Sequence, residues 1–423
     1  MTNTYTSIVE ELKELVYKWD DIPLICDKMI LAWVLWDASD IHIEPLSSYV
    51  RLRYRRDWDL AEILEYQNFL HQGIVARFKI MSDLKIDESR IPQDWRISNT
   101  IWWKPVDLRV STLPTVHWEK IVMRIVDKSK EIPKLESLWI EWRNGEIIKH
   151  AISQPNWIIL TSGPTGSGKS TTLYSSLIML NKPDVNIMTL EDPVENQVDW
   201  INQSQVHPDI GYTFAYGIRT ALRQDPDIIM VGEMRDKETV DIAIEASLTG
   251  HLVFSTIHTN SAAETITRIL NMWVQPFLIP ASLNAIIAQR LIKRLCPYCK
   301  QKVSMKDIWE QTLINVKKAI NITPKDELIS RVWEKLKNPI FYKAVWCEKC
   351  EETGYKWRLW LYEVLQISSG VKEMILSWQS AFNINKQAIK DWMISLEQDW
   401  IIKALNWHTS LEEVYRVAKT QNG

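Results

Sequence analysis

Glycine is what this chain of 423 residues lacks: it has 12, where about 30 would be ordinary at a share of about 7%. The 22 tryptophans roughly make up the shortfall. Several stand in turn contexts that want a small residue beside a polar one, as in Asp57-Trp58-Asp59, Gln93-Asp94-Trp95-Arg96 and Asn406-Trp407-His408. So many indoles are hard to place without exposed apolar patches. The imbalance reads as a recoded codon: UGA, rendered here as tryptophan, stands for glycine in the source cell.

Other scarcities exclude whole classes of function. No apolar run is long enough to span a bilayer and no secretory leader is recognisable. The chain is therefore expected to be cytoplasmic, peripheral at the inner face of the cytoplasmic membrane, with no direct membrane span. A net charge of −3 leaves no basic excess, so no nucleic acid is expected as partner. The five cysteines are too few for a disulfide framework, and four stand in two close pairs, which points to metal. With 46% hydrophobic and 24% charged residues the composition is that of an ordinary globular protein of two or three domains.

What is present is decisive at one place. Gly163-Pro164-Thr165-Gly166-Ser167-Gly168-Lys169-Ser170-Thr171 is a complete phosphate-binding loop, preceded by the apolar strand pattern Trp157–Thr161 and followed by the helix pattern Lys169–Leu180. Glycines let successive N–H groups close around phosphates at a helix N-terminus whose dipole favours anions. Lys169 is expected to reach the β- and γ-phosphates of ATP, and Ser170 to ligate Mg²⁺.

The remaining motifs follow from that loop. Asp227-Ile228-Ile229-Met230-Val231-Gly232-Glu233 is an apolar strand ending in an acid, so Glu233 is expected to orient the attacking water. Glu191 and Asp192, ahead of Pro193, close another apolar strand; they complete the Mg²⁺ shell or cap a turn. His251 and His258 bracket a further strand, either beside the γ-phosphate or as structural groups. Arg77, Arg90 and Arg96 lie in the N-terminal part and suit phosphate or transition-state charge, though a plain surface face has the same look. Cys296-Pro297-Tyr298-Cys299 and Cys347-Glu348-Lys349-Cys350 pair as two knuckles of a closed, structural Zn²⁺ site.

Periodicity divides the chain into a lead-in over 1–24, with helical spacing at Glu10–Tyr17, an α+β domain over 25–130, and an α/β domain over 131–423. In the α+β domain the pattern predicts a helix at Ile25–Leu35 and strands at 41–43, Val50–Tyr54, Val106–Val110 and Ile121–Val126. In the α/β domain it predicts strands at Trp157–Thr161, Asn186–Leu190, Asp227–Val231 and Leu252–Thr256. Helices are expected at Lys169–Leu180, Thr239–Leu248, Ala262–Met272 and Pro276–Leu295. The stretch 296–350 is an insert, and the remainder reads as mostly helical, ending in an amphipathic helix at Leu411–Ala418.

Taken together these motifs resemble the secretion ATPases of type II secretion and type IV pilus assembly. Ala38-Ser39-Asp40-Ile41-His42-Ile43-Glu44-Pro45 and Leu108-Arg109-Val110-Ser111-Thr112-Leu113-Pro114 are similar to signatures of that family's N-terminal domain. Thr189 to Glu195 resembles its aspartate box, Leu222 onward its Walker B segment and Thr249 to Asn260 its histidine box. The four cysteines are similar to those of its assembly branch, which retraction ATPases lack. Tryptophan stands where the family signature has glycine at Trp36, Trp95, Trp118, Trp157, Trp200, Trp273, Trp357 and Trp360. The resemblance implies a RecA-like P-loop domain, a PAS-like α+β N-terminal domain and a small zinc-binding insert. It implies a homohexamer acting on an inner-membrane platform protein, and a chain that begins near the second domain of longer members. It raises Arg77, Arg90 and Arg96 to expected phosphate contacts, joined by Arg219 and Arg235, and the two histidines to functional groups. The competing functions are a retraction-type pilus ATPase, a DNA-handling RecA-like ATPase and a scaffold that binds nucleotide without hydrolysing it.

Overall fold

The computed structural model describes residues 2–19, 21–56, 59–101, 104–127, 131–140, 142–303, 314, 316, 335 and 339–413. The chain divides into two compact units, Met1–Glu131 and Ile132–Gly423.

The first unit opens with helices α1 (Thr2–Lys18) and α2 (Ile22–Leu35), the latter started by a proline in its first turn, where a missing N–H costs nothing. Strands β1 (Asp40–Pro45), β2 (Tyr49–Arg56) and β3 (Asp59–Gln67) follow, then helix α3 (His71–Met81) and strands β4 (Gln93–Ile101), β5 (Lys104–Pro114) and β6 (Glu119–Asp127). They form one antiparallel sheet in the order β3-β2-β1-β6-β5-β4. Alternation decides which face is buried. In Tyr49–Arg56 the residues Val50, Leu52 and Tyr54 go inward, where they meet Ile25, Met29, Ile74 and Phe78 of the helices. Arg51, Arg53 and Arg55 fall on the other face, beside the acids of β1. Trp95 lies within β4 rather than in a turn, and Trp58 lies outside the described residues.

Two carboxylates of the Asp40–Pro45 strand anchor this face. Glu44 accepts hydrogen bonds from Arg53 at 2.8 and 2.9 Å and from Lys120 at 2.8 Å, while Asp40 accepts from Arg124 at 2.8 Å. Burial alone would push the Glu44 carboxyl up, but the hydrogen bonds from Arg53 and Lys120 prevail and pull it from 4.5 down to about 2. A group depressed in this way stabilises the fold above its unfolded pKa and loses that contribution as the pH falls through the folded one. Glu44→Gln is therefore expected to cost about 1–2 kcal/mol at neutral pH. The gap to the parent chain should close as the pH falls from 4.5 toward about 2, in melts taken across that window. A gap that stays constant on acidification would remove the assignment.

The second unit begins with helix α4 (Trp142–Ile152) and strand β7 (Trp157–Ser162), which leads through the glycine-rich loop into helix α5 (Lys169–Leu180). Then come β8 (Ile187–Glu191), β9 (Asn202–Gln205), α6 (Phe214–Ala221), β10 (Ile228–Val231), α7 (Lys237–Leu248), β11 (Leu252–Ile257) and α8 (Ala262–Asn271). A short helix α9 (Ile279–Ser282) runs into the long strand β12 (Leu283–Leu295). After the two-residue strands β13 (Gln301–Lys302) and β14 (Tyr342–Lys343) the chain returns as β15 (Tyr355–Gln366). Helices α10 (Ser369–Leu376), α11 (Ala381–Lys390) and α12 (Leu396–Leu405) follow.

The sheet order is β15-β12-β7-β11-β10-β8-β9, parallel throughout except for the antiparallel β12–β15 pair. Helices cover both faces, as a parallel sheet requires. Ile158, Leu160, Ile229, Val231 and Val253 meet α7 and α8 on one face, while Ile159, Met230 and Phe254 meet α4 and α5 on the other.

The expected helix over Pro276–Leu295 is a correction: apart from the short α9 and the turn before it, this segment is strand. Its run of Leu, Ala, Ile, Gln and Arg has a helical composition, but β12 is paired on both edges and buried on both faces, so it shows no alternation to read. The strand β15 was likewise hidden in what reads as a helical C-terminal part. Most of the insert 296–350 and the end of the helix expected at Leu411–Ala418 lie outside the described residues.

Candidate nucleotide site

Registry brings the site together. Ser162 of β7 pairs with Ile257 of β11, and Val231 of β10 pairs with both Ser255 and Leu190. The residues that follow these strand ends, namely Gly163, His258, Gly232-Glu233 and Glu191, therefore emerge at one edge of the sheet. That edge, outside the carboxyl ends of the strands, is where open parallel sheets bind ligands.

The glycine-rich loop turns tightly over it. Gly163 holds φ +148 and Gly168 holds φ +86; a side chain at Gly163 would run into Ser167 Oγ and the Gln289 carbonyl. Helix α5 starts at Lys169 with no side-chain cap at Gly168, which leaves its first N–H groups pointing into the loop. Ser167 Oγ is buried without a hydrogen-bond partner, a polar group aimed where phosphate oxygens would lie. Lys169 is 9% exposed and its ammonium donates to the carbonyls of Gly163 at 2.9 Å and Pro164 at 3.1 Å. Burial lowers its pKa from 10.5 to about 8, against the opposing pull of Glu233.

Glu233 is also 9% exposed. It pairs with Arg235, its Oε2 lies 3.6 Å from His258 Nε2, and that oxygen is buried without a hydrogen bond. Burial, and next the charge of Lys169, lower the His258 pKa, so the imidazole is neutral at pH 7. A carboxylate, an ammonium and a neutral imidazole thus converge on the phosphate loop.

The other candidates sit less directly. Glu191 is buried and held by Tyr174, by Thr189 at 2.6 Å and by Gln203 at 3.1 Å, so its carboxylate is braced rather than open. Asp192 is exposed, next to a cis bond to Pro193. His251 Nδ1 approaches the Ala246 carbonyl at 2.9 Å, at the end of α7, and is tied to that helix rather than to Glu233. Arg219 pairs with Glu238 at 2.8 Å on an exposed flank. Arg77, Arg90 and Arg96 belong to the first unit. Arg77 is half-buried on α3 and Arg90 forms a two-point pair with Glu88, at 3.0 and 2.7 Å. Arg96 stands opposite Arg109 in the backbone register of β4 and β5.

Sequence reasoning missed the supports of the loop. Gln289, buried on β12, donates from Nε2 to the Ser167 carbonyl at 2.8 Å. Its neighbour Arg290 donates to the Gln289 carbonyl at 3.0 Å and to the Asn260 carbonyl at 2.7 Å, tying the loop's support to the chain just past His258. The only available signal was a polar pair within an apolar run.

The four cysteines form a second centre. Their sulfurs lie within 4.8 Å of one another, with Cys296–Cys347 at 3.9 Å, Cys299–Cys350 at 3.7 Å and Cys347–Cys350 at 3.6 Å. A tetrahedron with Zn–S bonds of about 2.3 Å has edges of about 3.8 Å, so the donor set fits zinc.

Fold and site define a RecA-like P-loop ATPase with an N-terminal PAS-like α+β domain. The model of the family described as Type II/IV secretion system protein matches residues 20–416. The Type IV pilus assembly ATPase PilB of Myxococcus xanthus is 42% identical over 408 residues, covering 96% of this chain and 69% of that protein. The Type II secretion system ATPase E of Vibrio cholerae is 42% identical over 423 residues, covering 99% of this chain and 80% of that one. Among solved structures, the Legionella pneumophila ATPase DotB superposes with a TM-score of 0.64 at 21% identity, over 94% of this chain and 96% of its own. The pilus retraction motor PilT, solved with bound ADP, gives 0.60 at 23%, over 92% and 96%. The chain belongs to the type II/IV secretion system protein family and is an ATP-hydrolysing enzyme. Among the described residues no helix is long and apolar enough to cross a membrane.

Proposed function

We propose that the chain works as a homohexamer at the inner face of the cytoplasmic membrane, where Mg²⁺-dependent ATP hydrolysis drives a platform protein to assemble a type IV pilus or a type II secretion pseudopilus. The observation that carries this reading is the meeting of Lys169, Glu233 and His258 at the phosphate loop of a chain 42% identical to pilus and secretion ATPases. The loop residues 163–171 hold the triphosphate, with Lys169 on its outer phosphates. Glu233 orients water, His258 reports on the γ-phosphate as a neutral imidazole, and Arg235, paired with Glu233, and Arg219 are further phosphate contacts. Glu191 positions the acidic end of β8 through its bonds to Tyr174 and Gln203. Ser170 would hold Mg²⁺, with Asp192 completing its shell, and the ion would supply charge neutralisation on the phosphates. Arg77, Arg90 and Arg96 supply cations from the N-terminal domain. Residues 1–24, 25–130 and 131–423 are the proposed lead-in, N-terminal domain and ATPase domain.

Purified full-length chain should release phosphate in steady state only with Mg²⁺ and have six times the monomer mass. Deleting its gene should abolish surface fibres; longer or more numerous fibres would make it a retraction motor instead. The cysteine cluster supports assembly over retraction, since the resemblance places such a cluster in the assembly branch.

Two further outcomes test the supports. Gln289→Leu keeps the volume of the side chain but removes the donor to Ser167, and should weaken nucleotide binding about tenfold at an unchanged fold. Equal affinity in titration calorimetry would remove Gln289 from the site. The thiolates of Cys296, Cys299, Cys347 and Cys350 would hold about one structural Zn²⁺ per chain, closed to substrate. A zinc-selective chelator, or Cys299→Ser, should release it and lower the melting temperature by roughly 10 °C. Elemental analysis showing no zinc in the untreated protein would end this assignment.

A further inference from the structure

Nine tryptophans, Trp19, Trp139, Trp157, Trp200, Trp273, Trp357, Trp378, Trp392 and Trp407, hold φ between 53° and 113°. In this left-handed region Cβ crowds the following carbonyl, and glycine alone enters freely. The other non-glycine residues there are three aspartates and two glutamates. Among the described residues no leucine, isoleucine, valine, phenylalanine or tyrosine holds such an angle. Strain caused by bulk alone would spread across the bulky types; here it falls on one.

The helix ends supply an internal control. A Schellman ending places a left-handed residue, usually glycine, just past the cap, with its N–H and the next N–H bonded back into the last turn. At the end of α7 that residue is Gly250: its N–H bonds to Ser247 at 3.4 Å, and the next, of His251, bonds to Ala246 at 3.2 Å. The same pair of bonds closes α10 around Trp378, to Ile375 at 3.1 Å and from Gln379 to Met374 at 2.9 Å. It closes α11 around Trp392, to Ile389 at 3.1 Å and from Met393 to Ala388 at 2.9 Å. Around Trp407 at the end of α12 both bonds are 3.0 Å. Trp273 makes the first of the two bonds after α8, to Leu270 at 2.9 Å. Their indoles stay exposed: Trp273 to 79%, Trp378 to 61%, Trp392 to 43% and Trp407 to 39%.

We infer that the protein in its own cell carries glycine at these nine positions, the codon being read there as glycine where standard decoding gives tryptophan. The composition suggested recoding in general, and the family resemblance at Trp157, Trp200, Trp273, Trp357 and Trp360; the backbone assigns it to nine residues, independently of both and of the ATPase reading. Trp360 joins the set on a different ground. Its backbone is ordinary, but its ring lies against Gly168 of the phosphate loop and its Nε1 is buried without a partner. Glycine there would clear the space behind that turn.

The test reads the gene and the protein. UGA is expected at all ten positions, and peptides of the protein purified from its source cells should be lighter there by the tryptophan-to-glycine difference. UGG codons with tryptophan-bearing peptides overturn the inference. A recombinant chain with the nine left-handed tryptophans changed to glycine should melt at least about 5 °C above the chain as written. In that comparison Trp273→Gly should gain more than Trp273→Ala, because alanine keeps the Cβ. Equal gains from the two would mean that the exposed indole, not the backbone, is at fault, and would overturn the argument from φ.

Discussion

Lys169→Ala should lower ATP turnover by about 10³-fold or more, because it removes the one ammonium that the loop directs at developing phosphate charge. The side chain is held by the carbonyls of Gly163 and Pro164, so its position is set by the backbone rather than by a salt bridge. Alanine leaves the strand, turn and helix intact, and the melting temperature should hardly move. The same lysine predicts a pH dependence. Its pKa, brought to about 8 by burial, means that the ammonium is charged below that pH and lost above it. A bound polyphosphate favours the charged form, so affinity for nucleotide should fall above pH 8 with a limiting slope of about tenfold per pH unit. A fluorescent-nucleotide titration that stays flat to high pH would show that Lys169 does not carry the contact.

Glu233→Gln should separate binding from chemistry. The amide keeps the shape but cannot accept a proton, so turnover should drop by about 10²–10⁴-fold while nucleotide still binds. The unbonded Oε2, 3.6 Å from His258, is the atom that has capacity left for a water. The variant should also raise the affinity measured in the presence of Mg²⁺ and ATP, since the substrate is no longer consumed. Normal hydrolysis by Glu233→Gln would transfer the role to another group, and Glu191 would be the first to examine.

The parts of this site that were legible in the sequence are those whose chemistry needs consecutive residues. A phosphate cradle must be built from neighbouring N–H groups, so Gly163 to Thr171 declare it without any knowledge of the fold. Glu233 was legible for a related reason, as an acid ending a short buried strand. The supports were not legible, because they act across the sheet: nothing near Gln289 in sequence indicates Ser167, which it reaches only once β12 lies beside β7. The two histidines show the limit of local context. Both flank β11, yet His251 turns back to α7 whereas His258, past the other end, faces Glu233. The first unit was legible in outline from its alternating strands, and the roles of Asp40 and Glu44 as partners of Arg124, Arg53 and Lys120 needed the register of three strands. The strand at Leu283–Leu295 failed for the opposite reason, since full burial erased the period that would have revealed it.

The two cysteine pairs sit at the seam of the antiparallel edge: Cys296 comes directly after the last residue of β12, and Cys350 shortly before β15 opens at Tyr355. A metal there would act as a rivet through both strands at once. It would also fix the end of the strand that carries Gln289, and with it the footing of the phosphate loop. Pulling that rivet would therefore reach the engine by way of β12, well beyond the insert it closes.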